Sequence, residues 1–307
     1  MELTGLQSNS KKIEQHFPTP AQPEACDTQE VPLSQLTIDD LCVVLQADPY
    51  SSVHARQLAR KYTERGNYAL ASKIYSGICK VDNCFESLFD LGTALYLEDR
   101  PHSALPILQQ ALLVSAEADD QSLFEIFKML GNIFVKSGDY DSGEDAYIKA
   151  LRIRPQSDVL VVNLGTLKVQ QSDWESATDR FREAVQLNQL NDKAWVGLSI
   201  CHRQKGDVEL SWANLEMALE CNPLNETALT LACDWAVRDK KQSRLLEMLR
   251  TYAINDGWNI DLNLTFVWLS WTLGERSSAT LVLERILSTH PECEAGWRIY
   301  EKMGECA

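Results

Sequence analysis

Apolar residues recur along most of the chain at intervals of three and four residues, the spacing of one face of an α-helix. In the stretch FKMLGNIF, Phe127, Leu130 and Phe134 lie on a single helical face. Short polar bends such as SGDY, residues 137–140, separate successive apolar stretches. The pattern predicts an all-α chain whose helices are joined by tight turns.

The helical pattern repeats at a stride of 34 residues. Leu130-Gly131 is followed 34 residues later by Leu164-Gly165, and Asp139-Tyr140 is followed by Asp173-Trp174. Further copies occur on both sides, and the pattern predicts seven units that begin near residues 52, 85, 124, 158, 192, 226 and 260. A fixed period of this length is typical of stacked structural repeats.

The pattern resembles the tetratricopeptide repeat, a helix-turn-helix unit of 34 residues. The signature of that repeat contains a Leu-Gly pair, an aromatic residue, alanines at fixed positions and a closing proline. The resemblance covers residues 52–293. It implies a right-handed α-solenoid in which stacked hairpins bury one continuous core.

The two ends of the chain depart from the repeat. Residues 1–36 contain four of the ten prolines and no apolar period, which predicts a flexible tail. Residues 37–51 begin with a Thr-x-x-Asp capping box and predict a leading cap helix, and residues 294–307 predict a C-terminal capping helix. Within the repeats, residues 116–123 predict an acidic extension of one loop.

The stretch LGNIFVKSGDY combines two glycines with a Lys-Ser pair, which raises the question of a phosphate-binding loop. Such a loop needs its glycines between a strand and a helix, in the order G-x4-G-K-[ST]. Gly131 instead lies within an amphipathic helix, where a small residue lets the backbone of the partner helix approach. Gly138 suits a helix end that needs positive φ, and Asp139 can cap the next helix.

Charge and cysteine content narrow the functional classes. The formal net charge of -15 disfavours nucleic acid as a partner, because that affinity comes mainly from cations that neutralise phosphates. The chain has no apolar run long enough for membrane insertion and no secretory signal, so we expect a cytoplasmic protein. The nine cysteines lack a CxxC pair and are expected to be reduced thiols.

Residue constellations typical of catalysis are absent from the sequence. There is no HExxH motif, nucleotide fingerprint or metal-spaced cluster, and the five histidines stand alone. We therefore expect a protein that is not an enzyme and that carries no metal or cofactor.

The resemblance implies a concave groove, lined by the first helix of each unit, that binds a partner peptide. Tetratricopeptide proteins that bind acidic carboxyl termini use a two-carboxylate clamp of five residues. Lys128, Asn132, Asn163 and Lys193 occupy four of these places, and Gly197 stands where the clamp has Arg. The alternative is that both lysines are ordinary solvated side chains.

Two further groups extend the candidate surface. Lys136 and Arg203 are expected to join Lys128 and Lys193 on a basic inner face that attracts an acidic peptide or helix. Trp268 and Trp271 occupy groove-facing places in the last unit and could bind a partner helix or a second copy of the chain. The alternative for the tryptophans is burial in the core.

These observations favour a non-enzymatic scaffold or adaptor that binds a partner peptide in its groove. The alternative is a structural component, or an assembly chaperone, of a larger complex such as a secretion, pilus or motility machine. The sequence favours the first only through its groove-facing charges and aromatic residues.

Overall fold

The computed structural model describes residues 32–48, 50–116, 118–255 and 257–305. These ranges form sixteen α-helices and one 3₁₀ turn, with no β-strand among them. The helices are α1 Ile38–Ala47, α2 Ser52–Glu64, α3 Tyr68–Val81, α4 Phe85–Leu97, α5 Pro101–Leu113, α6 Asp120–Lys136, α7 Tyr140–Ile153, α8 Asp158–Gln170, α9 Trp174–Leu187, α10 Asp192–Gln204, α11 Val208–Cys221, α12 Glu226–Asp239, α13 Gln242–Ile254, α14 Ile260–Thr272, α15 Arg276–Thr289 and α16 Glu294–Glu305.

Helices α2 to α15 form seven consecutive hairpins that stack on one another. Each first helix packs against its own second helix, and each second helix packs against the first helix of the next hairpin. First helices of successive hairpins also touch, as α4 touches α6 and α8 touches α10. This arrangement confirms the predicted all-α solenoid of helix-turn-helix units.

Each hairpin turns through one residue in the left-handed region of backbone conformation. Glycine occupies this place in four hairpins, where Gly66, Gly138, Gly206 and Gly274 have φ between 74° and 90°. In the other three hairpins the residues are Asp99, Ser172 and Lys240, with φ between 57° and 60°. Positive φ is confirmed for Gly138. The three non-glycine turns carry no glycine signal in the sequence.

Polar side chains cap the helices that follow these turns and loops. The Asp139 carboxylate accepts from the backbone N–H of Ser142 at 3.1 Å. The capping box predicted at the leading helix is present, because the Thr37 hydroxyl accepts from Asp40 N–H and the Asp40 carboxylate accepts from Thr37 N–H. These bonds satisfy donors that the first turn of a helix leaves free.

The Leu-Gly pairs pack each first helix closely against the second helix of its hairpin. A Cβ on Gly131 would overlap the ring of Tyr147, and one on Gly165 would lie 2.8 Å from the ring of Phe181. The close approach predicted at Gly131 is therefore confirmed. The Tyr147 ring contacts Gly131, and the backbone of α7 also approaches α6 there, since a Cβ on Gly143 would lie 3.4 Å from the Gly131 carbonyl oxygen.

The start of α6 differs from the prediction made from the sequence. Helix α6 begins at Asp120, four residues before the unit start predicted near 124, because Asp119 accepts from Ser122 N–H at 2.6 Å and caps an additional turn. Residues 120–123 of the predicted loop extension are therefore helical.

The predicted tail lies largely outside the described residues, which begin at 32. Its last residues form the 3₁₀ turn Leu33–Gln35, and Leu36 packs against the cluster of Ile38, Leu41 and Leu58. At the other end, α16 buries Met303 against the last hairpin.

Candidate interaction surface

The surface that carries the predicted binding residues is built from the first helices, and we call it the inner face. Helices α6, α8 and α10 contact one another in order and bring Lys128, Asn132, Asn163 and Lys193 onto neighbouring helices. The two asparagines touch each other directly. The side chains of Lys128 and Lys193, by contrast, have separate surroundings.

Asn132 and Asn163 belong to a polar network that links three hairpins. Asn132 donates to the Tyr96 hydroxyl at 2.8 Å, and its Oδ1 accepts from the Tyr147 hydroxyl at 2.6 Å and from Asn163 at 3.2 Å. Burial raises the pKa of Tyr147, and the nearby Tyr96 adds to the rise, so the Tyr147 hydroxyl remains a donor. Asn132 is thereby committed to contacts within the chain.

Lys128 lies in an open cleft of about 780 Å³ between the start of α6 and the loop that joins α7 to α8. Its Nζ lies 2.5 Å from the Glu125 carboxylate and 5.6 Å from the centroid of the Phe124 ring. Arg154, in the same cleft, places its guanidinium carbon 4.4 Å from the centroid of that ring. Two cations thus contact one buried aromatic ring, and we call this place the cation cleft.

Arg154 is not among the binding residues predicted from the sequence. This residue follows the last residue of α7 and precedes Pro155, so the sequence pattern identifies it only as part of a helix end. The available signal was a basic residue at a helix C-terminus, a position where cations are stabilised by the helix dipole. Only the return of the chain toward α6 places Arg154 beside Phe124.

Lys193 is exposed, and its ammonium forms no ion pair with the described residues. The adjacent clamp position, Gly197, is buried, and a Cβ there would overlap the ring of Phe181. An arginine at this position could not be accommodated without displacing that ring. The departure from the clamp pattern therefore has a packing cause.

The other two predicted cations form pairs within the chain. Arg203 forms a two-point contact with the Asp239 carboxylate, one bond of which measures 3.0 Å, and its guanidinium lies 4.7 Å from the Trp235 ring centroid. Lys136 contacts Asp99 at 2.6 Å near the hairpin turns. The structure therefore does not combine the four cations into one unpaired basic face.

The tryptophans of the last unit have different surroundings. Trp268 is 49 % exposed, with the Lys302 ammonium of α16 6.0 Å from its ring centroid. Trp271 is partly buried against the core and carries the Arg276 guanidinium 4.9 Å from its ring centroid. Trp258, in the preceding loop, is 80 % exposed. Trp268 is therefore the accessible member of the predicted pair.

The described cysteines are unpaired thiols, and among them only Cys201 is fully buried. Burial raises the pKa of Cys79 and of Cys233 to about 11, which disfavours the reactive thiolate. In the same ranges no cluster of His, Cys, Asp or Glu side chains has the arrangement of a metal site. Every helix described is too short or too polar to reach across a bilayer.

Comparison with known families agrees with this architecture. Residues 125–157 and residues 162–226 each match a family model described as tetratricopeptide repeat. No curated protein matches the chain. The two matched segments span most of α6 to α11.

Solved structures of the same fold cover more of the chain. A tetratricopeptide repeat protein from Parabacteroides merdae is 14 % identical and matches 82 % of this chain and 98 % of its own, with a TM-score of 0.54. One chain in the crystal structure of the APC/C hetero-tetramer Cut9–Hcn1 is 13 % identical and matches 76 % of this chain and 46 % of its own, also with a TM-score of 0.54. PilF of Pseudomonas aeruginosa is 16 % identical, with 71 % and 97 % coverage and a TM-score of 0.50.

The chain therefore resembles tetratricopeptide-repeat proteins in sequence pattern, in family-model matches and in fold. Solenoids of this kind present extended surfaces for protein–protein interaction. At these identities, the structural likeness concerns the fold alone.

Proposed function

From this resemblance, we propose that the protein is a non-enzymatic scaffold that binds an acidic peptide segment of a partner protein on its inner face. The observation that carries the proposal is the cation cleft, where Lys128 and Arg154 lie against Phe124 beside a large open volume. A scaffold of this kind positions its partner and performs no chemistry of its own.

The charges of the cleft favour a carboxylate ligand. Arg154 forms no ion pair with the described residues, whereas Lys128 is paired only with Glu125, its neighbour on the same helix. The Asp158 carboxylate on the cleft wall already accepts from Asn188 at 2.7 Å and Asn191 at 2.8 Å. A partner carboxylate can therefore contact Arg154 directly and compete with Glu125 for Lys128, in charge-assisted hydrogen bonds.

Recognition of a side-chain carboxylate fits this surface better than a terminal-carboxylate clamp. Gly197 cannot carry the forked arginine grip, because the Phe181 ring fills the space beside it. Lys193, two units further along the inner face, can contact a second acidic residue of an extended peptide. The peptide sequence we expect is therefore internal, with acidic residues spaced to reach the third and the fifth units.

Fluorescence anisotropy with peptides selected from a random library tests the proposal. We expect Lys128→Ala with Arg154→Ala to weaken peptide binding by about tenfold or more, since each charge-assisted contact contributes about 1.5 to 3 kcal/mol. Lys128→Ala with Lys193→Ala should have a similar effect. Binding should also weaken with added salt.

A matched control removes two positive charges elsewhere. Arg180 and Arg182 lie on the second helix α9, and within the described part of the chain they pair only with acidic neighbours three residues away. Arg180→Ala with Arg182→Ala should leave the affinity nearly unchanged. Equal weakening by the control and by the cleft variants, at unchanged helicity, would show that net charge rather than the cleft governs binding.

The second candidate function is that of a structural component assembled through the ends of the solenoid. Exposed aromatic residues on the terminal elements favour it. Trp297 and Tyr300 of α16 are 45 % and 50 % exposed and stack edge to face at 5.8 Å, and Tyr50 near the other end is 91 % exposed. Exposed aromatic clusters are enriched at protein interfaces.

A further inference from the structure

A second pocket lies between the first two hairpins, away from the cation cleft. It has a volume of about 220 Å³, several times the roughly 30 Å³ that a water molecule occupies in the liquid. Polar and aromatic side chains from α2, α3 and α4 line it, namely Arg60, Glu64, Tyr75, Phe89, Asp90 and Thr93.

The charges in this pocket are less tightly paired than those elsewhere between helices. Nε of Arg56 lies 3.6 Å and Nη2 of Arg60 4.0 Å from Oδ2 of Asp90, whereas Lys168 and Glu144 approach to 2.7 Å. The Asp90 side chain is only 15 % exposed, and its Oδ2 and the facing Nε of Arg56 are both buried and form no hydrogen bond with the described residues. Burial raises the pKa of the Asp90 carboxyl, although Arg60 and Arg56 act against that rise.

Thr93 adds a second unsatisfied polar atom one helical turn from Asp90. Its hydroxyl is buried and has no hydrogen-bond partner in the described part of the chain. Thr166 follows the same Leu-Gly pair in the fourth unit, and there the hydroxyl donates to Val162 C=O at 3.0 Å. The identical Leu-Gly-Thr triplet is thus internally satisfied at one site and unsatisfied at the other, where it lines a pocket.

The charge balance of the pocket disfavours a charged ligand group. An incoming cation would meet two guanidiniums within 4.0 Å of Asp90, and an incoming carboxylate would meet Asp90 itself and Glu64. A neutral group with both a donor and an acceptor avoids both repulsions. It can donate to the Asp90 carboxylate and accept from the Thr93 hydroxyl and the exposed Arg60 guanidinium.

We infer that this pocket binds the primary carboxamide of an Asn or Gln side chain in the partner peptide. A primary carboxamide presents its N–H and C=O side by side, as Asp90 and Thr93 require when they lie one turn apart on α4. A trans backbone amide directs the two groups in opposite directions and cannot reach both. Phe89 and Tyr75 supply an aromatic wall for the aliphatic stem.

This inference rests on the proposed peptide-binding function and adds a specificity determinant to it. Peptides are selected from a random library on the wild-type protein, and their affinities are measured by fluorescence anisotropy. We expect the selected peptides to share an Asn or Gln at a constant distance from their acidic residues. Its replacement by Ala or Asp should weaken binding by about tenfold.

A double-mutant cycle assigns that residue to the pocket. Thr93→Val removes the hydroxyl at nearly constant volume, and Thr166→Val is the matched control because its hydroxyl bonds only within the helix. The changes in binding free energy caused by removing the peptide carboxamide and by Thr93→Val should be strongly non-additive. The changes caused by the same removal and by Thr166→Val should be additive. Thermal unfolding monitored by circular dichroism checks that both variants fold.

The possible outcomes separate the inference from the proposed function. Peptides whose affinity depends on Lys128 and Arg154 but that show no Asn or Gln preference would overturn the carboxamide pocket and leave the acidic-peptide scaffold standing. If the peptides prefer Asn or Gln but the effect of removing that carboxamide is additive with the effect of Thr93→Val, the carboxamide does not bind in this pocket. Failure to select any peptide would overturn both.

Discussion

Gly131, Gly165 and Gly197 on the first helices are required because a second helix places an aromatic ring against each of them. The Phe181 ring of α9 lies between Gly165 of α8 and Gly197 of α10, and a Cβ on either glycine would meet it. Gly131 has the same relation to Tyr147. One aromatic residue therefore determines the size of its neighbours in two successive units, and this packing also excludes the clamp arginine.

Gly131→Ala and Gly77→Ala should change stability in opposite directions. Gly131→Ala forces the Tyr147 ring to move within a packed core and should lower the free energy of unfolding by about 1 to 3 kcal/mol. Gly77 is exposed within α3 with open space around it, so Gly77→Ala should raise that free energy by about 0.5 to 1 kcal/mol. Urea unfolding measures both, and destabilisation by Gly77→Ala would contradict the helix-propensity argument.

Adjacent units are joined by polar contacts that repeat with the period of the fold. The carboxylate of Asp158, the first residue of α8, accepts from two asparagines in the next inter-unit loop. The carboxylate of Asp192, the first residue of α10, does the same one unit later. A further contact joins α10, α11 and the end of α12, because the Asp239 carboxylate accepts from both Arg203 and Trp212. Such contacts fix the stacking of hairpins in addition to the apolar core.

The contact at Asp239 should make stability depend on pH. Hydrogen bonding from Arg203 lowers the pKa of Asp239 below its ordinary 3.8, against the opposing effect of burial, and the Trp212 bond adds to the lowering. A lowered folded-state pKa contributes stability that is complete above the unfolded-state pKa and is lost as the pH falls through the folded-state value.

Asp239→Asn should therefore reduce the free energy of unfolding at neutral pH by about 3 kcal/mol. The difference from wild type should shrink as the pH falls below about 4. Urea unfolding across this pH range, followed by circular dichroism, measures the free energy of unfolding of each variant. The control is Glu183→Gln, which alters an exposed ion pair. A difference that stays constant with pH would show that Asp239 acts only through packing.

The two ends of the solenoid are unlike, and we expect their exposed residues to determine whether the protein assembles. A head-to-tail contact between α16 and the leading elements would be heterologous and would produce a closed ring or an open chain of molecules. Trp268 is less suited to this role, because Lys302 lies over its ring.

Trp297→Ala with Tyr300→Ala should abolish any concentration-dependent growth in molar mass. The reason is that both aromatic side chains are about half-exposed on α16. Size-exclusion chromatography with light scattering measures the molar mass. Trp258→Ala is the control, because Trp258 is 80 % exposed but lies before the last hairpin. Trp268→Ala should also leave the molar mass unchanged. A wild-type protein that stays monomeric at all concentrations would remove this second candidate function.

The sequence predicted the helices and their stride but not the partners of its charged residues. Periodicity predicted the glycine turns, whereas Asp99, Ser172 and Lys240 adopt the same conformation without a sequence signal. Arg203 was predicted to bind a ligand, yet it pairs with Asp239, 36 residues away. Pairings of this kind depend on how hairpins stack, and the spacing within one unit does not contain that information.

The sequence alone therefore determined the all-α repeat, its hairpin turns and its capped helices, because those depend on residues within a few turns of one another. The tertiary structure decided which polar groups are free to bind. Lys128 and Arg154 converge on Phe124 only because the loop after α7 returns to α6. Thr93 and Thr166, alike in sequence, differ in hydrogen bonding because their positions in the stacked solenoid differ.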